Sequence, residues 1–285
     1  TFIFDVLKDL QNKHVNLSSI TFILPSKRAG IFLKHQLSQV VNETIFSPEI
    51  LSIEEFVEEL SELKTISNTE LLFEFYSIYK EVLSKDKIES FEIFTQWATI
   101  ALHDFNEIDS YLVNSEDFFT SLRDVKKLDQ WFQDKEPSTL ALNYLQFFEQ
   151  LNILYDSLYE KLKNNKFGYQ GLIYKEATDN LEYYINNIED KHIVLVGFNA
   201  LNKAEEYIFQ ELLNTNSATI YWDASEEIFG NSNEAGVFLR KYKREWNYYK
   251  THPFLLVDIN SIENKNIEFV GAPKNITQID RKSTR

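Results

Sequence analysis

Apolar residues follow two patterns along the chain, short continuous runs and longer stretches with helical spacing. The runs at residues 20–24 and 191–197 predict strands that are buried on both faces. Further strands are predicted at 218–223, at the start of 49–60, and as candidates at 254–257 and 267–270. Helices are predicted over 1–12, from about 26 to 41, in the rest of 49–60, and over 170–184, 201–213 and 234–246.

The middle of the chain, from about residue 68 to 165, has an almost purely helical pattern. Its apolar residues fall at helical spacing over 71–82, 94–105 and 144–162. Asn68 and Ser90 are the predicted N-caps in this stretch, and Pro137 marks a break between helices. N-terminal to this stretch, Ser52 is predicted to cap a helix whose first turn carries Glu54 and Glu55. Acidic side chains in the first turn interact favourably with the helix dipole.

Strands therefore lie at both ends of the chain, and helices alone lie between them. Alternating strands and helices are typical of a mostly parallel sheet that is covered by helices. The order predicts one discontinuous α/β domain, residues 1–65 and 166–279, with an all-helical insertion at 66–165. Residues 280–285 break from the preceding pattern and are predicted to be a tail from truncation.

The predicted strand at 20–24 leads through Pro25 into a helix whose first turn carries Ser26, Lys27 and Arg28. A helix N-terminus has free backbone N–H groups and the positive end of the helix dipole, so it suits a phosphate or another anion. The alternative interpretation is an ordinary capped helix start with solvated charges. Both remain open from these residues alone.

A second basic group is the densest in the chain. It comprises Arg240, Lys241, Lys243 and Arg244, and aromatic residues follow at Trp246, Tyr248 and Tyr249. One interpretation is base stacking combined with neutralisation of a nucleic-acid backbone. The other is a helix end whose long side chains cover apolar surface, and the pattern favours this second interpretation.

Charge limits what either basic group can do, because the 285 residues carry a net charge of −15. Proteins that hold nucleic acid through bulk electrostatics are usually basic, so any DNA contact must be a local basic strip on an acidic body. Acidity alone is also explained by solubility.

The chain has no Cys, which excludes disulfides, thiolate catalysis and Cys-based zinc sites. It also has no Met, and we expect it to be a fragment of a longer protein.

Six segments carry a resemblance to a known family. The order of the segments resembles the first half of a superfamily 1 helicase, and more closely the AddB-like and RecB-type proteins of bacterial helicase–nucleases. The similar segments are residues 22–33, 51–57, 103–112, 167–177, 194–213 and 268–275. The resemblance implies a RecA-like (P-loop-NTPase-like) α/β fold with a helical insertion, at the N-terminal side of a PD-(D/E)XK nuclease family protein.

Two departures from the helicase pattern concern ATP. The sequence has no G-x-x-x-x-G-K-[ST] loop to cradle the β- and γ-phosphates. Where the resemblance implies an acidic pair that binds magnesium, the chain has Gly197, Phe198 and Asn199. We therefore expect no ATP hydrolysis, no catalytic residue and no cofactor in this region. The alternative, an active ATPase whose P-loop lies outside these 285 residues, is disfavoured by Gly197 and Phe198.

Two sets of residues could hold a metal. Glu62–Lys64 and Glu263–Lys265 have the Glu-x-Lys spacing of the family's nuclease centre, but such triplets arise easily in a chain with 26% charged residues. His103, Asp104, Glu107 and Asp109 cluster in sequence, and a hydrogen-bonded helix terminus explains them better than a metal site. We predict no metal site.

The function predicted from this resemblance is a non-catalytic helicase-like module of a DNA-repair or recombination enzyme. It would contact single-stranded DNA or a duplex end through Ser26, Lys27 and Arg28 and through the basic group at 240–244. It would also position a C-terminal nuclease domain or a partner helicase. No apolar run reaches membrane-spanning length, so we expect a cytoplasmic protein without a membrane partner. The alternative is an acidic scaffold that binds only protein.

Overall fold

The structure is a computed structural model of the chain. It describes residues 1–13, 15–41, 44–122, 139–188, 191–225, 229, 234–256 and 271, with the backbone alone at 139–146 and 149. Several predictions fall outside these residues: the strand at 267–270, the break at Pro137, the triplet Glu263–Lys265 and the tail at 280–285. They stay predictions.

Helices and strands alternate at both ends of the chain, as the apolar pattern indicates. The helices are α1 (Phe2–Asn12), α2 (Lys27–Val40), α3 (Ile53–Ser61), α4 (Asn68–Val82), α5 (Phe91–Ser110), α6 (Thr139–Asn164), α7 (Gln170–Asn187), α8 (Lys203–Asn214) and α9 (Val237–Glu245), with a further helical segment at 115–122. The strands are β1 (Ile20–Leu24), β2 (Glu49–Ser52), β3 (Lys64–Thr65), β4 (Phe167–Gly168), β5 (His192–Val196) and β6 (Ala218–Tyr221).

The main sheet has four parallel strands in the order β2-β1-β5-β6. In the register, Phe22 of β1 lies between Ile50 of β2 and Val194 of β5. The predictions of buried strands at 20–24 and 191–197 are confirmed, since β1 is buried throughout and β5 from its second residue. The candidate at 254–257 is reduced, in its described part, to one parallel bridge between Trp222 and Leu256.

Helices cover both faces of this sheet, which is why its central strands are continuously apolar. Phe22 and Val194 face α1 and α2 in one apolar cluster. Ile23 and Leu195 point the other way, toward α3, α7 and α8 in a second cluster. The mixed α/β fold with a parallel sheet is thus present, with the sheet as the middle of three layers.

Two helix starts show how local sequence sets the element boundaries. The prediction for Ser52 is confirmed, because its hydroxyl accepts the Glu55 N–H and the Glu55 carboxylate returns to the Ser52 N–H. The prediction for Asn68 is wrong, since the N-cap of α4 is Ser67, in the same reciprocal arrangement with Glu70. Ser90 is the N-cap of α5 but its side chain makes no capping hydrogen bond to a described residue.

Two short strands enclose the helical stretch in sequence. β3 and β4 pair in parallel, with Lys64 beside Phe167 and Thr65 beside Gly168, and α4 to α6 lie between them along the chain. The core of these helices is aromatic, and the Phe75 ring contacts both Phe94 and Phe105. The β3–β4 pair therefore brings together the two ends of the stretch that contains α4 to α6.

A buried charged network joins α5, α6 and α7 at this junction. Asp109 is fully buried, and its carboxylate accepts hydrogen bonds from the hydroxyls of Tyr155 and Tyr169 and from the ammonium of Lys175, at 2.5, 2.5 and 3.0 Å. Burial, together with the Asp109 charge, raises the pKa of both tyrosines. The network fixes the helical stretch against α7, which packs on the sheet layer.

Candidate functional site

The order of the strands defines one position where a ligand crevice is expected. From β1 the chain moves to β2 on one side, and it later reaches β5 on the other side of β1. In open parallel sheets, ligands bind outside the carboxyl ends of the strands at the point where the strand order reverses. Here that point lies between Leu24, which ends β1, and Val196, which ends β5.

A crevice of about 420 Å³ occupies this position. Leu24 and Ser26 line it from β1 and the start of α2, Val196 and Gly197 line it from β5, and Asp223 lines it from beyond β6. Phe32 and Gln36 of α2 form part of its wall. An apolar wall with a few polar groups, in this size range, is typical of a binding pocket.

Ser26 and Lys27 are held by contacts within the protein. The hydroxyl of Ser26 accepts the N–H of Ala29 at 3.3 Å, so Ser26 is the N-cap of α2 and satisfies one of the free donors. Lys27 pairs with Glu55 at 3.2 Å. The Ser52 backbone N–H and the nearby Lys27 lower the pKa of the Glu55 carboxyl, so this pair is charged at neutral pH.

Arg28 begins a basic, partly apolar surface on α2. Its guanidinium lies over the ring of Phe32, and Phe32 and Ile31 are 52% and 69% exposed. Lys34 and His35 are also exposed, and α2 contains no Asp or Glu. We call Arg28, Ile31, Phe32, Lys34 and His35 the α2 surface. It is a local basic strip with an exposed aromatic ring on a chain of net charge −15.

The second basic group is more strongly engaged with the protein itself. Lys241 donates to the nearly buried Glu206 at 2.7 Å, and Arg244 pairs with Glu245 at 2.6 Å. The ammonium of Lys243 lies 4.9 Å from the centre of the Phe229 ring, and Arg240 is half-buried. This arrangement agrees with the interpretation of long side chains covering protein surface.

Both basic groups lie near the carboxyl edge of the sheet, on elements that pack against different faces. α2 belongs to the layer that contains α1. α9 packs on the opposite side, where the hydroxyl of Tyr242 accepts the N–H of Leu201 and its ring stacks on Trp222. None of the described residues that line the crevice belongs to α9. The crevice is therefore bordered by the α2 surface and not by the second basic group.

Gly197 and Phe198 follow β5, at the positions where the sequence resemblance implies an acidic pair. Gly197 has a φ of 79°, and its N–H donates to the carbonyl of Tyr221. Phe198 is buried with its ring 4.8 Å from that of Phe209. Phe198 therefore makes an apolar contact inside the protein, and it is not among the described residues that line the crevice.

Asp223 is the carboxylate that lines the crevice beyond β6, and sequence reasoning missed it. Although its side chain is partly exposed, nearby protein atoms remove some of its water and raise the pKa of its carboxyl. Phe32 and Lys34 were missed as well. The sequence did carry a signal for Phe32. An aromatic residue that lies off the stripe of Leu33, Leu37 and Val40, which faces the core, is expected to be exposed.

The candidate metal ligands do not assemble into a metal site among the described residues. His103, Asp104 and Glu107 are exposed, whereas Asp109 is buried in the network with Lys175. Glu62 adopts a left-handed conformation at the end of α3 and pairs with Lys166. Within the described residues, no group of three or more potential ligands is placed to hold a metal ion.

No protein-family model matches the chain, and no curated protein sequence matches it. The resemblance to AddB-like proteins therefore stays a prediction. Among the helices of the described residues, none is both long and apolar enough to cross a membrane.

Proposed function

We propose that the chain is a non-catalytic helicase-like module that contacts a nucleic-acid strand through the α2 surface and the adjoining crevice. The observation that carries this proposal is the charge of α2. It has Lys27, Arg28 and Lys34 and no acidic residue, although the chain as a whole is strongly acidic, and it borders the crevice where the strand order reverses.

The α2 surface combines the two features that sequence-independent strand binding needs. Arg28 can neutralise a phosphate beside the exposed Phe32 ring, which offers a face on which a base can stack. Lys34 lies about 120° further round the helix from Arg28 and can neutralise a phosphate on the adjoining flank. Guanidinium and ring already lie together, so the aromatic face and the positive charge would meet a nucleotide side by side. A strand lying along α2 would pass the mouth of the crevice.

Within the mixed α/β class, we propose that the fold is a RecA-like domain with a helical insertion. It is supported by the parallel sheet with helices on both faces and by the β3–β4 pair that encloses α4 to α6 in sequence. The lack of ATP hydrolysis is supported by the missing P-loop sequence and by the buried Phe198 after β5.

The wider biological setting rests on the sequence resemblance alone. On that basis we place the chain in a bacterial, cytoplasmic helicase–nuclease of DNA repair or recombination. Its partners there would be a C-terminal nuclease domain in the same protein or a partner helicase.

A second candidate function is an acidic protein-binding scaffold. The observation in its favour is that several predicted DNA contacts are already paired with carboxylates, Lys27 with Glu55, Lys241 with Glu206 and Arg244 with Glu245. A scaffold has no need of an unpaired basic strip, so the two functions differ in what the α2 surface should bind.

Fluorescence anisotropy with a labelled single-stranded oligonucleotide, titrated at several salt concentrations, separates the two functions. The test variant is Arg28→Ala/Lys34→Ala, and the matched control is Lys85→Ala/Lys87→Ala, which removes two exposed charges from the helical stretch. We expect the test variant alone to weaken binding and to reduce the slope of log affinity against log salt by about 1.4, the value for two single-strand phosphate contacts.

Equal loss in both variants would mean that only net charge matters, and it would overturn the assignment to α2. No binding by the unaltered chain at low salt would leave the scaffold as the better function.

A further inference from the structure

A second cavity, separate from the crevice, lies where the helical stretch meets the α/β layers. Its volume is about 480 Å³. The start of α4, the middle of α5, the end of β3 and the turn before α7 enclose it. None of its described lining residues belongs to α2 or to the second basic group.

The lining of this cavity mixes apolar and polar side chains and carries no Asp, Glu, Lys or Arg among the described residues. Leu71, Leu72 and Leu102 form an apolar part, and Asn68, His103 and Asn106 supply hydrogen-bonding groups. Because 26% of the residues in the chain are charged, a lining without Asp, Glu, Lys or Arg is uncommon. A phosphate, carboxylate or ammonium ligand would lose water here without gaining an opposite charge, so the lining suits a neutral ligand.

The polar groups have unused bonding capacity. The side chains of Asn68 and His103 make no hydrogen bond to any described residue. Asn106 is held in one orientation, because its Oδ1 accepts the N–H of Gly171 at 2.8 Å. Asn106 therefore offers its amide N–H groups to a ligand.

The backbone around Asn106 is fixed by a close approach to α7. A Cβ atom at Gly171 would lie 2.3 Å from the carbonyl oxygen of Asn106, so only glycine allows α5 and α7 to come this close. One side of the cavity is thus rigid, which preorganises the amide of Asn106 for binding.

We infer that this cavity binds a nucleobase. A base is neutral, planar and apolar on its faces, and it carries donors and acceptors on its edges. Side-chain amides such as those of Asn68 and Asn106 pair with base edges, and an imidazole such as that of His103 stacks on base faces. Apolar contact from Leu72 and Leu102 complements such a ring. The base could come from a free nucleoside or from an unpaired position in a strand.

Equilibrium dialysis of the full chain with each of the four unphosphorylated deoxynucleosides tests this inference. We expect saturable binding of at least one of them. Thr99→Phe places a ring in the cavity from α5 and should weaken binding at least tenfold. Gln96→Phe adds the same ring to the same helix outside the described lining and should change binding by less than twofold.

His103→Ala provides a second test that leaves the buried core untouched, because His103 is exposed. Losing the stacking partner should weaken nucleoside binding about fivefold or more. Saturable binding that both variants leave unchanged would overturn the inference, and so would the absence of binding for all four nucleosides.

Displacement of the bound nucleoside identifies the source of the base. Displacement by a single-stranded decamer, but not by the same sequence as a duplex, assigns the cavity to an unpaired base in a strand. No displacement by either assigns it to a free nucleoside. Arg28→Ala/Lys34→Ala should leave nucleoside binding unchanged, so failure of the α2 proposal and failure of this one are distinguishable.

Discussion

The guanidinium carbon of Arg28 lies 5.9 Å from the centre of the Phe32 ring, one helical turn further along α2. The pair combines a charge and an aromatic face on the exposed side of a helix that begins at the carboxyl edge of the sheet. Such a pair contributes about 0.5–1 kcal/mol when exposed.

Phe32→Ala should weaken single-strand binding by about 5- to 150-fold, because stacking on one aromatic ring contributes about 1–3 kcal/mol per base. Tyr183→Ala is the matched control. Tyr183 carries a more exposed ring on α7, outside the α2 surface, so its loss should change affinity by less than twofold. Anisotropy titrations measure both, and equal effects would contradict a stacking role for Phe32.

Asp223→Asn should strengthen single-strand binding at neutral pH, because the carboxylate at the crevice repels phosphates. Partial dehydration raises the pKa of Asp223, so the unaltered carboxyl becomes neutral earlier than usual as the pH falls. The advantage of the variant should therefore shrink on acidification. Titrations at a series of pH values test this, with the exposed Asp117→Asn as control. An advantage that is independent of pH would rule out this carboxyl as the cause.

Asp109→Ala should lower the free energy of unfolding by about 3 kcal/mol or more, because it leaves Lys175 and two tyrosine hydroxyls without their acceptor. Asp104→Ala, on the exposed side of the same helix, should change it by less than about 0.5 kcal/mol. Urea denaturation measures both. Similar values for the two variants would show that the buried network contributes little.

Gly171→Ala should destabilise the protein by about 1–3 kcal/mol, since the added methyl group meets backbone atoms of Asn106 that cannot move independently. At Gly30 the added methyl group would meet only the side-chain tip of Ile50, at 3.1 Å. Gly30→Ala also gains helix propensity, so its effect should be much smaller. Thermal unfolding compares them, and a larger loss at Gly30 would contradict the close approach of α5 and α7.

Much of the secondary structure could be predicted from local pattern. The strands β1 and β5 are continuous apolar runs, and the Ser52 cap follows from a hydroxyl three residues before a glutamate. The same signal was present at Ser67 and Glu70, where the prediction placed the cap one residue too late. β3 and β4 could not be predicted, because two-residue strands carry no periodicity.

The candidate site was predictable only in part. The position of Ser26, Lys27 and Arg28 at the start of a helix after a buried strand follows from the sequence. The sequence does not show which of these charges remains available to a ligand. The partner of Lys27 is Glu55 on another helix, and only the fold brings the two together. The same holds for Lys241 and Glu206.

By itself, the sequence determined that this chain forms a parallel α/β layer at its ends and helices in its middle, because the spacing of apolar residues records which faces must be buried. Only the tertiary structure decided the strand order, and with it the crevice between Leu24 and Val196. It also decided the contact of Gly171 with Asn106 and the neutral cavity beside it. Burial patterns specify that a face is covered, whereas contacts between distant segments depend on which element covers it.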